Sequence, residues 1–103
     1  MGIKKHYLKS KPVCKVSFKV KAKDALGAKT IQIVGEFNDW NQSTDFMNKL
    51  KSGDFTQTIN LEQSKNYQFR YLIDGEIWIN EVESDSKVSN EFSEYNDVIS
   101  TFN

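Results

Sequence analysis

Apolar and polar residues alternate strictly from Cys14 to Lys21, with Cys14, Val16, Phe18 and Val20 on one face and Lys15, Ser17, Lys19 and Lys21 on the other. A two-residue repeat belongs to a β-strand with one buried and one wet face. Asn66–Ile73 repeats it, setting Tyr67, Phe69, Tyr71 and Ile73 against Gln68, Arg70 and Leu72. Asp54–Leu61 sets Phe55, Ile59 and Leu61 against Thr56, Thr58 and Asn60, with Gln57 the polar exception on the apolar side. Thr30–Val34 is β-branched and short, the signature of a buried strand. Asp74-Gly75 predicts a hairpin turn because both residues tolerate positive φ, so Glu76–Asn80 is expected to return as the paired strand. Asp97–Phe102 supplies a last strand. The predicted core is Val16, Phe18, Val20, Ile31, Ile33, Phe55, Ile59, Leu61, Tyr67, Phe69, Tyr71 and Ile73.

Between these strands, Gly35–Thr44 (GEFNDWNQST) is rich in Asn, Asp and Ser, whose side chains bond to nearby backbone, and is expected to be a loop. Val88, Phe92 and Tyr95 would share a helix face, but four serines and few helix formers make residues 81–95 read as a long loop. Residues 1–12 are lysine-rich, end at Pro12 and are expected to be a flexible basic N-terminal arm, leaving 13–103 as the single folded domain. Strand signals at roughly ten-residue spacing predict an all-β chain, an antiparallel β-sandwich of six to eight strands.

Composition supports that class. Val and Ile number fifteen against eight for Ala and Leu, a balance that suits pleated surfaces. At 103 residues the chain has the size of one small domain. Fourteen basic and fourteen acidic residues cancel, so no overall field draws the protein to nucleic acid or an anionic membrane. The charges are nevertheless segregated: nine lysines lie in residues 1–30, and eight acids lie between Asp74 and Asp97. One cysteine, Cys14, and one histidine, His6, argue against disulfides, a cysteine-rich metal site and histidine-based catalysis. Phosphate-loop glycines are missing, and no cofactor is expected. No segment has the length and apolarity of a membrane span or a signal peptide, and a reducing cytoplasm is the expected location.

Two tryptophans are the candidates for chemistry. Trp40 sits in a polar loop with no strand face to bury it, and Trp78 faces outward if Ile77 and Ile79 face the core. Exposed rings near one another form a flat platform that suits sugar rings or bases. Base stacking needs an electropositive groove, whereas Glu36, Asp39, Asp74, Glu76 and Glu81 crowd the tryptophans in sequence and Arg70 is the nearby cation. A neutral, hydroxyl-rich ligand fits better. Arg70 can donate to its hydroxyls, although it reads equally well as a solvated strand residue or the partner of a nearby acid. A glycosidase would need two carboxyl groups across a cleft, which a sandwich this small hardly offers, so no catalytic residue is assigned.

The segments VSFKV, IQIVGEFNDWN, GDF, YQFRYLIDGEIW and NEFSEYNDVI, in that order over Val13 to Thr101, resemble the family 48 carbohydrate-binding modules. These include the glycogen-binding domain of the AMP-activated protein kinase β-subunit and the N-terminal domains of isoamylases and branching enzymes. The resemblance implies an immunoglobulin-like sandwich that binds α-1,4-glucan, as glycogen, starch or maltooligosaccharide, without cleaving it. Position by position, Trp40 and Trp78 match the ring-stacking tryptophans and Arg70 a basic hydrogen-bonding position. Phe92 falls at a leucine that packs on sugar, and Asn96 at a sugar-binding asparagine. Trp78 lies one residue further from Asp74-Gly75 than in kinase-type members, Ser93 replaces a glycine, Glu94 replaces a sugar-contacting threonine, and the Asp-Pro after the second tryptophan is missing. Some members serve as docking modules without glucan binding, and that is the competing expectation here. The expected partners are an α-glucan and, as a protein candidate, a separate enzyme or kinase-like subunit.

Overall fold

The computed structural model describes residues 2–90 and 94–102. Nine strands appear among them: β1 (Gly2–Tyr7), β2 (Val13–Val20), β3 (Ile31–Gly35), β4 (Asn48–Lys49), β5 (Phe55–Glu62), β6 (Asn66–Ile73), β7 (Ile77–Ile79), β8 (Ser86–Ser89) and β9 (Tyr95–Ser100). Two antiparallel sheets stack face to face. One has the order β1-β2-β5-β4, and the other β3-β6-β9-β8 with β7 also pairing β6.

All twelve expected core residues pack between the sheets, Ile59 and Tyr67 at its partly buried margin. Phe18 lies at an aromatic centre, 5.4 Å from the Phe69 ring, 6.4 Å from Tyr71 and 6.5 Å from Phe37. Gln57, the polar exception, donates its Nε2 to Asp45 Oδ1 at 3.3 Å, while its Oε1 is buried without a partner among the described residues. The strand before β5 crosses between layers: Met47 N–H donates to Ile31 O at 2.8 Å, and Asn48–Lys49 then pairs with β5.

Two segments depart from the sequence expectation. Residues 2–7 are not a free arm; β1 pairs with β2 from Gly2↔Lys19 to Tyr7↔Cys14. Ile3 and Tyr7 pack against the core, and the Lys5 ammonium lies 2.7 Å from Asp85. The lysines of this stretch hide its alternation, and the open edge of β2 supplies the partner. Likewise, 81–95 is not all loop, because Ser86–Ser89 pairs with β9 as a short polar strand.

The predicted hairpin forms at Asp74 (φ 51°) and Gly75 (φ 70°). Asp74 also accepts the backbone N–H groups of Lys29 (2.8 Å) and Thr30 (2.9 Å). The bond from Thr30 foremost, then that from Lys29, holds this exposed carboxyl below the ordinary aspartate range.

Truncating Phe69 to Ala should cost about 3–5 kcal/mol, measured by chemical denaturation. For Asp74, a lowered folded pKa means stabilisation that is fully present above the ordinary aspartate value of about 3.9 and lost as the pH falls through the folded value. Thermal melts should therefore show Asp74→Asn losing stability at neutral pH while depending less steeply on acid than the wild type.

Candidate functional site

The motif Gly35-Glu36-Phe37-Asn38-Asp39-Trp40 divides its labour residue by residue. Gly35 is needed for close approach, since a Cβ there would sit 2.4 Å from Gln68 O and 2.7 Å from Phe69 Cβ. Glu36 Oε1 accepts the Gln68 N–H at 2.6 Å. Phe37 turns inward, its ring centroid 6.3 Å from Tyr67 and 6.5 Å from Phe69. Asn38 staples the turn: it accepts the Gly35 N–H at 3.0 Å and donates to Ile33 O at 2.9 Å and Asp45 Oδ2 at 2.7 Å. Asp39 and Trp40 are both left-handed (φ 54° and 57°), and Trp40 N–H is tied to Gly35 O at 2.8 Å. A bulky residue in that conformation stores of order 1–3 kcal/mol of strain. Trp40 is left 37% exposed.

Across the outer face of the second sheet, Trp78 lies opposite Leu72 in the β6–β7 pairing. Gln68 and Arg70 share that face because they alternate with Phe69 and Tyr71. The Arg70 guanidinium carbon stands 5.4 Å from the Trp78 ring centroid, a cation–π contact, and its Nη1 donates to Glu94 Oε1 at 3.0 Å. Arg70 Nε is buried without an acceptor among the described residues. From β9, Asn96 Nδ2 donates to Gln68 Oε1 at 3.1 Å, and Asn90 Nδ2 donates to Asn96 Oδ1 at 3.2 Å. Asn90 and Glu94 close the β8–β9 connection through Asn90 N–H to Glu94 O at 2.9 Å.

Together these side chains line one hollow of about 720 Å³: Trp40, Gln68, Arg70, Trp78, Asn90, Glu94 and Asn96. Of the sequence candidates, Trp40, Arg70, Trp78 and Asn96 therefore converge, and Phe92 lies outside the described residues. Gln68 and Asn90 were missed as lining residues. The alternation that turns Arg70 to the outer face of the sheet turns Gln68 there too, whereas Asn90 reaches the hollow only through the pairing of β8 with β9.

Two of the acids near the tryptophans in sequence, Asp74 and Glu81, are used elsewhere. Asp74 holds the Lys29–Thr30 backbone, and Glu81, fully buried, accepts the Tyr71 hydroxyl at 2.7 Å. Burial first, and then the Glu81 charge, push the Tyr71 pKa up. Glu81 N–H in turn donates to buried Asp97 at 2.7 Å, and the Lys87 ammonium pairs with the same carboxylate. The described residues hold no cluster of metal-binding side chains.

Fold and hollow define a class: a β-sandwich with an aromatic-walled, hydrogen-bonding recess on one sheet. Comparison with known families matches residues 18–102 to the glycogen recognition site of AMP-activated protein kinase, and the chain belongs to that family of carbohydrate-binding modules. Comparison with curated proteins gives no significant match.

Because the Gly35 Cβ position is occupied by the backbone and side chain of β6, Gly35→Ala should destabilise by about 1–3 kcal/mol. The shift of the Trp40 turn should appear as altered tryptophan fluorescence before global unfolding. An alanine variant with wild-type stability and fluorescence would contradict the close packing.

Proposed function

We propose that the chain binds α-1,4-glucan reversibly and without cleaving it, with Trp40 and Trp78 stacking on glucose rings while Arg70 and Asn96 hydrogen-bond hydroxyls. The convergence of two outward tryptophans on a hollow floored by Arg70 and three amide side chains carries this reading. Glucose rings are flat and apolar on their faces and hydroxylated at their edges. Indoles suit the faces, and amides that both donate and accept suit the edges. Membership of a glycogen-recognition family supports the same ligand class. The strained backbone of Trp40 supports it too, since such strain gathers at functional positions.

A binding role without catalysis is favoured because glycoside hydrolysis employs a pair of carboxyl groups, whereas the described lining residues bring one, Glu94, already paired with Arg70. Such a module would carry a separate enzyme or kinase-like subunit to the polymer. A shallow, wet site gives affinity on the order of micromolar to millimolar.

Affinity electrophoresis in gels containing glycogen, amylopectin, cellulose or no polysaccharide tests the reading. Glycogen and amylopectin should retard the wild type, and cellulose should not. Trp40→Ala and Trp78→Ala should each weaken retention roughly tenfold or more with the fold intact, and Arg70→Ala should weaken it as well. Equal mobility of the wild type in every gel would overturn glucan binding, and full retention by both tryptophan variants would move the site elsewhere.

A further inference from the structure

Arg70 and Glu94 are the two ionisable side chains among the described residues lining the hollow. Their exposures are unequal: 10% of the Arg70 side chain is accessible against 53% for Glu94. Trp78 covers the guanidinium from one side, and Glu94 neutralises it at 3.0 Å. The cation is thus the submerged member of the pair, and the carboxylate is the charge that an arriving ligand meets. No lysine is among the described residues lining the hollow. Lys4, Lys15 and Lys19 share the outer face of the other sheet, on the alternate positions to the core residues of β2.

A neutral polyol can accept from Arg70 or donate to Glu94 without disturbing the balance of charge. A phosphate monoester carries about −1.5 to −2 at neutral pH. In this hollow it would lie beside Glu94 with the nearby cation already paired. Resting on the glucan reading above, we propose that the Glu94–Arg70 pair determines specificity by charge, admitting neutral α-glucan and rejecting glucan that bears phosphate esters at the bound rings. Glu94 acts here as a selectivity residue whose effect is repulsive.

Calorimetric titration with maltoheptaose and with maltoheptaose carrying a phosphate monoester tests this on the full chain and on Glu94→Gln. In low salt the wild type should prefer the neutral sugar by about fivefold or more, the scale set by like charges roughly 4 Å apart in water. High salt should shrink the preference. Glu94→Gln keeps an oxygen for Arg70 but removes the charge, so the preference, read as the ratio of the two affinities whatever the variant's absolute affinity for maltoheptaose, should vanish or reverse. Equal wild-type binding of both sugars, a preference insensitive to salt, or an unchanged preference in folded Glu94→Gln would overturn the proposal and leave glucan binding standing. If Glu94→Gln fails to fold, the salt dependence of the wild type decides alone. Failure of the wild type to bind maltoheptaose would overturn both readings.

Discussion

Because successive side chains of a strand point to opposite faces, β6 has to build the core and the outer sheet face with the same eight residues. Tyr67, Phe69, Tyr71 and Ile73 fill the space between the sheets, which leaves Gln68, Arg70 and Leu72 on the other side. Pairing on both edges makes that division rigid: β3 runs along one edge, while β9 and β7 share the other. A slip of one residue would exchange the faces, placing aromatic rings outside and a guanidinium in the core. The pressure to bury four apolar side chains therefore also aims Arg70 at the hollow.

The same coupling extends to the Trp40 turn. Gly35 lets the chain cross β6 at close range, and Phe37, two residues later, plugs into the aromatic centre around Phe18. Asn38 then ties the turn to Asp45, which also accepts from Gln57 on the opposite sheet. Both sheets thus hold the loop that carries Trp40. Strain at Asp39 and Trp40 persists because these bonds and the Phe37 anchor leave the turn no other shape.

Behind β9 lies a second device. Asp97 is fully buried and collects Asn80 Nδ2, Glu81 N–H, Ser84 Oγ and the Lys87 ammonium. A buried carboxylate is tolerated when its oxygens are satisfied and its charge is matched. These bonds fold residues 80–87 onto β9 and set the start of β8. The β8–β9 pairing then carries Asn90 and Glu94 to the rim of the recess, beside Asn96.

Local period determined much of this protein. Alternation marked the core of β2, β5 and β6, and the Asp-Gly pair marked the turn. It also showed that Arg70 faces away from the aromatic core, and the polar context of Trp40 showed that no strand would bury it. The resemblance to glucan-binding modules then joined Trp40, Arg70, Trp78, Phe92 and Asn96 into one candidate site, of which Phe92 lies outside the described residues. What the local pattern left open depends on partners distant in sequence. Residues 2–7 become a strand because β2 offers an open edge, and Ser86–Ser89 because β9 does. Gln68 and Asn90 join the site through cross-strand placement, and Glu94 meets Arg70 across a separation of 24 residues. A two-residue repeat reports which way a side chain points. Only the packed sheets decide which other side chain it meets there, because backbone pairing brings remote segments side by side.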